Sequence, residues 1–208
     1  MRLTHLGHAC LLVETDAARL LIDPGVFSQV DEVSAVDAVL VTHQHPDHID
    51  PTAVRQVLAR SPGAALVVDV DTSAGLPGLP EHVVARVGDR LRFGATTVDV
   101  LGGLHAPVFG DVPGCTNAGY LVDDGALFHP GDSFHVPDQA VDVLAVPIDG
   151  PWLKLAEAIE YVLAVSPRIA TPIHEGETTD PAKYAGMLDG LTGGKLVRRL
   201  PVGEPSLV

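Results

Sequence analysis

The segment VTHQHPDHID at residues 41–50 places three histidines and two aspartates within ten residues, directly after an apolar run. At strand-like spacing, His43 and His45 project to the same side, so two imidazoles can bind one ion. A turn then presents Asp47 and His48 to a neighbouring point. Nitrogen ligands combined with an oxygen ligand suit zinc, manganese or iron better than calcium. The segment therefore predicts part of a metal site.

Three further candidate ligands stand outside this segment, because one loop cannot complete a coordination shell. His105 follows VDVLGGL, Asp132 follows ALFHPG, and His174 follows RIATPI. Strand ends at one edge of a sheet are where a rigid scaffold presents ligands to a common cavity. Taken alone, His105 or His174 is more often a hydrogen-bonded core residue than a ligand. Their order behind the first motif favours the ligand interpretation.

The elements that must position these residues are mostly short apolar strands separated by Pro and Gly. Helices are predicted at DPTAVRQVLARSPG, where Asp50 is the N-cap, and at LKLAEAIEYVLAVSP and DPAKYAGMLDGLTGG. TSAGLPGLPE is predicted to be a loop. The predicted strands are ACLLVET, ARLLIDPG, DAVLVTH, ALVVDVD, DRLRFG, TTVDVLGG, a hairpin in NAGYLVDDGALFHPGD, VDVLAVPI, RIATPIH and KLVRRLP. A two-sheet core with helices outside is therefore expected.

Length and charge restrict the class of protein. The 208 residues fit one domain over 1–208, with 46% apolar and 19% charged residues. A net charge of −14 disfavours nucleic acid and anionic membranes as partners. There is no secretory leader pattern and no apolar run long enough to span a bilayer, so we expect a cytoplasmic protein. Cys10 and Cys115 are expected to be reduced.

The ordered set of motifs resembles the metallo-β-lactamase superfamily. The order is His-x-His-x-Asp-His, a lone His, Gly-Asp-Ser and a second lone His. The match runs from LGHACLLVETDAARLLIDPG through THQHPDH, LHAP and PGDS to PIHEG. The resemblance implies an α/β protein with an αββα four-layer sandwich and a two-metal site at one edge.

The resemblance also implies seven metal ligands in two groups that share one carboxylate. These are His43, His45 and His105 for the first ion, Asp47, His48 and His174 for the second, and Asp132 as the bridge. Asp23 would orient a ligand histidine. His8 and His135 are candidates for the cavity lining, and Trp152 is either a packing anchor or a substrate wall.

The implied activity is that of a dinuclear metal-dependent hydrolase. Two divalent ions, zinc before manganese or iron, would generate a metal-activated hydroxide, and Asp47 would accept a proton as the catalytic residue. No Ser-His-Asp order or nucleophile-elbow motif offers a protein nucleophile. The alternative is a non-catalytic metal-binding or sensing domain of the same fold.

The expected substrate is a small cytosolic ester, lactone or phosphodiester. The LGHACLLVETDAARLLIDPG opening and the PIHEG ending resemble the branch that contains L-ascorbate-6-phosphate lactonase. However, no arginine near the motifs would bind a substrate phosphate. A fold resemblance does not determine the substrate, and homo-oligomerisation is left open.

Overall fold

Two β-sheets lie face to face, and each carries helices on its outer surface. The structure is a computed structural model and describes residues 1–194 and 197–208. The first sheet has the strand order β13-β1-β2-β3-β4-β5-β6. Its strands are β1 (Arg2–His5), β2 (Leu11–Glu14), β3 (Arg19–Ile22), β4 (Ala38–Leu40), β5 (Ala65–Val68), β6 (Val83–Val84) and β13 (Pro205–Leu207).

The second sheet has the strand order β12-β11-β10-β9-β8-β7. Its strands are β7 (Arg90–Phe93), β8 (Thr96–Leu104), β9 (Thr116–Val122), β10 (Leu127–His129), β11 (Val143–Pro147) and β12 (Ile169–Ile173). In the first sheet, β3, β4, β5 and β6 are parallel. In the second, β8, β10, β11 and β12 run in one direction, with β9 antiparallel to its neighbours.

Four α-helices are present, α1 (Pro51–Ala59), α2 (Val70–Gly75), α3 (Leu155–Val165) and α4 (Pro181–Leu191), within the described part of the chain. The α1 and α4 helices begin in the same way. The Asp50 carboxylate accepts the Thr52 N–H, and the Asp180 carboxylate accepts the Lys183 N–H, with proline at the first helical position in both. The side-chain acceptor satisfies a free N–H group of the helix start, and proline, which has no N–H, removes one.

Three apolar layers hold these elements together. The central layer lies between the sheets and contains Leu20 and Ile22 from the first and Tyr120 and Val143 from the second. The second layer joins the first sheet to α1 through Val54 and Val57, among other residues. The third joins the second sheet to α3 and α4 through residues that include Tyr161, Val162 and Leu188. This arrangement confirms the predicted αββα sandwich.

The structure corrects several element predictions. The predicted strands do not include β1, β6 or β13, although β1 pairs with both β2 and β13, and β6 pairs with β5. Part of the loop predicted after β5 forms α2, because the Asp69 carboxylate accepts the Asp71 and Thr72 N–H groups. The strand predicted at residues 195–201 lies partly outside the described residues; in its described part, Val197 forms only an isolated bridge with Ala170.

The helices and the two cysteines can be compared with the expectations from composition. In the part of the chain that the structure describes, no helix is long and apolar enough to cross a membrane. Cys10 is buried, Cys115 is half-buried, and both are free thiols.

Candidate metal centre

The predicted ligands converge at the edge where the carboxyl ends of the two sheets' parallel strands meet. Residues 41–50 follow β4, and His105, Asp132 and His174 follow β8, β10 and β12. Asp23 follows β3, beside β4. Because each side chain is placed by the end of a buried strand, the site inherits the rigidity of the sandwich.

The turn that carries Asp47 is braced by the chain beyond β3. The Val26 N–H donates to the Pro46 carbonyl at 2.9 Å. A Cβ at position 25 would collide with the Asp47 carbonyl oxygen, so only glycine permits this approach. The Asp-Pro-Gly run after β3 is therefore part of the support of the site.

The loop that carries Asp132 depends on a glycine and an asparagine. Gly131 has a φ of +62°. The Asn117 amide accepts the Asp132 N–H at 3.0 Å and donates to the Pro130 carbonyl at 2.7 Å. Neither a longer residue at 131 nor an apolar one at 117 preserves this loop.

In the first ligand group, the imidazoles are oriented by neutral partners. His43 Nδ1–H donates to the Thr42 hydroxyl oxygen at 3.0 Å, and His105 Nδ1–H donates to the Ala106 carbonyl at 2.6 Å. In this tautomer both Nε2 lone pairs face the site. His43 Nε2 lies 3.0 Å from His45 Nδ1, so two ring nitrogens of adjacent ligands face each other.

In the second ligand group, ionisable side chains provide the support. His48 Nδ1–H donates to Asp23 Oδ2 at 2.7 Å, and Asp23 also accepts the Thr42 N–H and hydroxyl. His174 Nε2 lies 3.3 Å from Asp47 Oδ2. Asp23, behind His48, fixes the tautomer of that ligand and raises its basicity.

Asp132 lies between the two groups. Its Oδ1 is 3.1 Å from His48 Nε2, and its Oδ2 is 3.1 Å from His174 Nε2. The same Oδ2 is 3.3 Å from His105 Nε2 and 3.9 Å from His43 Nε2. One buried carboxylate therefore contacts imidazoles of both groups.

His8 lies one layer behind the site and contacts Asp47, whereas the sequence placed it on the cavity wall. It is 1% exposed and has a φ of +52°. The Gly176 N–H donates to His8 Nδ1 at 3.0 Å, so the neutral ring carries its proton on Nε2. That N–H donates to Asp47 Oδ2 at 3.0 Å. His8 therefore holds Asp47 and is not itself available as a ligand through Nε2.

The charges in the site are strongly coupled. Burial and the neighbouring His48 hold the pKa of His43 well below its usual range. Burial opposes protonation of His48 and His174, but the carboxylates around them outweigh it. Asp132 and Asp23 raise the pKa of His48, and Asp132 and Asp47 raise the pKa of His174 to about 9. The pKa of Asp132 is lowered despite its burial, chiefly by His48.

Several buried nitrogen and oxygen atoms of the site lack hydrogen-bond partners within the described chain, and these atoms show whether the site fits metal ions. His48 Nε2, His105 Nε2, His174 Nε2 and Asp132 Oδ1 are buried and have no aligned hydrogen-bond partner among the described residues. Native proteins rarely leave such atoms unpaired. His43, His45, His105 and Asp132 form one cluster with ligand atoms within 4.8 Å of one another, and Asp47, His48 and His174 form another with His8. Two sets of nitrogen and carboxylate donors of this kind fit two divalent ions.

The other candidate residues surround the site. Trp152 packs against Phe134 and also lines the 340 Å³ cavity beside the ligands, which combines the two roles proposed for it. His135 lines an adjoining cavity of 640 Å³. Sequence reasoning missed Thr42 and Asn117, whose side chains support Asp23 and Asp132. Thr42 adjoins the THQHPDH motif, which was the available signal, whereas Asn117 lies 15 residues from Asp132 and gave no signal in the sequence.

Comparisons with known proteins identify the family. Residues 2–174 match the model of the β-lactamase superfamily domain. The chain is 45% identical to Protein Rv0786c of Mycobacterium tuberculosis, covering 92% of this chain and 93% of that protein. It is 30% identical to the UPF0173 metal-dependent hydrolase of Carboxydothermus hydrogenoformans, covering 84% of each.

The fold is also found among solved structures. That of Igni18, a metallo hydrolase from Ignicoccus hospitalis, matches with a TM-score of 0.75 and 21% identity, covering 99% of this chain and 97% of that one. The family match spans all seven converging residues, from His43 to His174. The chain belongs to the metallo-β-lactamase superfamily.

Proposed function

We propose that this chain is a metal-dependent hydrolase whose two ligand groups hold two divalent ions. The observation that carries the proposal is the convergence of five imidazoles and two carboxylates. Among them, His48 Nε2, His105 Nε2, His174 Nε2 and Asp132 Oδ1 are buried without aligned partners in residues 1–194 and 197–208. Among the relatives, the protein from Carboxydothermus hydrogenoformans is described as a metal-dependent hydrolase, which supports this activity.

The ligands are assigned by their positions in the two groups. His43, His45 and His105 would hold the first ion, and Asp47, His48 and His174 the second, with Asp132 shared. Zinc suits this donor set best, and manganese or iron suits it also. When bound, two such ions lower the pKa of water and polarise the carbonyl or phosphoryl oxygen under attack.

The residues of the chain contribute the orientation of the reactants and the transfer of a proton. Of the two carboxylates among the ligands, Asp47 is the partly exposed one, and it lines the cavity, so it is placed to accept a proton from the attacking water. The His8 N–H fixes Asp47 Oδ2, which limits the rotation of the carboxylate. Asp23 does the same for His48.

The bond that is cleaved belongs to a small ester, lactone or phosphodiester. The 340 Å³ cavity gives a small molecule access to the ligands, since His45, Asp47, His105, Asp132 and His174 all line it. This access favours an enzyme over a sensing domain, because a sensor needs no open cavity beside its ions. A lactonase activity, as in the L-ascorbate-6-phosphate lactonase branch, is one form of this proposal.

The test is a screen of the metal-reconstituted protein against lactones, thioesters, carboxylic esters and phosphodiesters, with metal content measured on the same sample. We expect turnover that requires the metals and is lost on chelation. A protein that holds both metals and is inert on all four bond classes would instead support the non-catalytic metal-binding domain.

A further inference from the structure

The walls of the cavity beside the ligands are apolar. Apart from the ligands and Glu177, the lining residues are Val26, Phe27, Pro46, Val108, Pro151 and Trp152. Cavities of this kind bind by burying apolar surface, and a few polar groups set the orientation of the ligand. Here the polar groups are the metal ligands themselves, together with one further carboxylate at Glu177.

A larger cavity adjoins the first at His105, which lines both. It has a volume of 640 Å³ and is lined by Leu104, Pro107, Val112, Pro113 and Phe134, among others. A chain attached to the reacting group therefore has a second, mostly apolar cavity beside it at His105.

Large apolar side chains are exposed around both cavities. Leu104, Val108, Phe109 and Val112 are all exposed, Phe109 by 81%, and Phe27 across the first cavity by 44%. Exposed apolar residues gathered around a cavity mark a binding site, whereas scattered ones need no explanation. These apolar residues surround cavities that are lined by the ligand His105. The molecule that binds to them is therefore the substrate.

The charges around both cavities are acidic. Among the residues that the structure describes, no Lys or Arg lines either cavity, whereas Asp47, Asp111, Asp132 and Glu177 do. Arg and Lys are the usual protein partners of phosphate and carboxylate groups. Beyond the reacting group, a substrate meets apolar groups, histidines, the Ser133 hydroxyl and carboxylates, and the carboxylates repel an anion.

We propose that the substrate is an uncharged ester, thioester or lactone with an apolar chain, and that phosphodiesters and phosphorylated lactones are excluded. This inference rests on the proposed hydrolase function. Hydrolysis adds the oxygen of one water to the carbonyl carbon and breaks the bond from that carbon to the leaving oxygen or sulfur. A proton of the water passes by way of Asp47 to the leaving group, which gives a carboxylic acid and an alcohol or thiol.

The first test uses Trp152, the one tryptophan of the sequence, as a fluorescent reporter inside the cavity. The metal-loaded protein is titrated with N-methylacetamide, N-methyloctanamide and methyl octyl phosphate. Burying a methylene contributes about 0.8 kcal/mol, so we expect the octanamide to bind at least about 10-fold more tightly than the acetamide. The phosphodiester should bind more weakly than the octanamide. Equal or tighter binding of the phosphodiester, or no effect of chain length, would overturn the proposal.

The second test places a charge in the larger cavity. Val112→Asp should raise the KM for 4-nitrophenyl octanoate about 10-fold more than it raises the KM for 4-nitrophenyl acetate. Leu163→Asp is the matched control, since Leu163 is 56% exposed on α3 and Val112 is 61% exposed. Equal behaviour of the two variants would contradict the assignment of this cavity.

The two proposals fail in different ways. Failure of the hydrolase function appears as an absence of metal-dependent turnover on every bond class. Failure of the present inference appears as turnover with a preference for phosphodiesters or for short, polar esters. The fluorescence titration reports on the preference of the cavity independently of turnover.

Discussion

His43 and His105 are oriented by a hydroxyl and a backbone carbonyl, whereas His48 and Asp47 are oriented by Asp23 and His8. The first ligand group therefore depends on neutral partners close to it in sequence. The second depends on ionisable side chains that lie 25 and 39 residues away. A substitution at His8 can thus weaken the second group without touching the first. Asp23 also reaches the first group, because it binds the Thr42 hydroxyl that accepts the His43 Nδ1–H.

The backbone shows the same difference. His8, Asp23 and His174 have φ values of +52°, +51° and +60°, and all three belong to the second group or its support. A residue other than glycine in this region costs about 1–3 kcal/mol, which the surrounding structure must offset. The second group is therefore the part of the site whose geometry is maintained against local strain.

The largest expected effect comes from breaking both groups at once. Asp132→Ala removes the carboxylate that contacts His48, His105 and His174. We expect turnover to fall to background and bound metal to fall below two ions per chain. Asp16→Ala, which removes an exposed carboxylate that lines neither cavity, is the control. Near-native turnover of Asp132→Ala would exclude the bridging role.

A more selective change separates the two groups. Asp47→Asn keeps the shape of the side chain and weakens both its metal contact and its ability to accept a proton. We expect turnover to fall by about 10²-fold or more, the lower scale of general-base contributions, with the first ion still bound. Kinetics and elemental analysis of the same preparation measure both outcomes. Loss of both ions would show that the groups do not bind independently.

Asp23→Asn tests the support behind the second group. An amide has one acceptor oxygen where the carboxylate has two, so the hydrogen bond from His48 Nδ1–H is weakened. Loss of such a partner typically lowers metal affinity by about 10–100-fold. Calorimetric titration should show this change for one ion, and a smaller change for the other, because Asp23 also holds the Thr42 hydroxyl that orients His43. Asp37→Asn, at an exposed carboxylate that accepts the Arg19 N–H, is the matched control and should bind metal as the wild type does.

The smallest effect is expected at His8, which contacts a ligand without approaching the ions. His8→Ala should lower turnover by about 10-fold through kcat, with little change in KM. His8→Gln can place an amide N–H near the position of Nε2 and should recover part of the loss. If Ala and Gln behave alike, the hydrogen bond to Asp47 has no role in the reaction.

The sequence was sufficient for the features that local pattern determines. Apolar runs that end in Pro, Gly, His or Asp correctly predicted most strands and the residues that follow them. The two Asp-Pro pairs correctly predicted the starts of α1 and α4. The polar α2 helix lacks an apolar periodicity and depends on capping by Asp69. It could not be distinguished from a loop.

The partners of the ligands were harder to predict than the ligands. The bond from the Gly176 N–H to His8 spans 168 residues and joins the first loop of one sheet to the last strand of the other. The hydrogen bonds from Asn117 to the Asp132 loop likewise exist only once the two strands are placed. Such contacts follow from tertiary structure, which residue types and spacing do not specify.

The number of ions held per chain tests the central claim most directly. Elemental analysis of wild-type protein reconstituted with zinc and separated from free metal should give two ions per chain, and hydrolysis should rise until both are bound. At most one ion per chain, with no gain in activity from further metal, would contradict a site in which two ligand groups share Asp132.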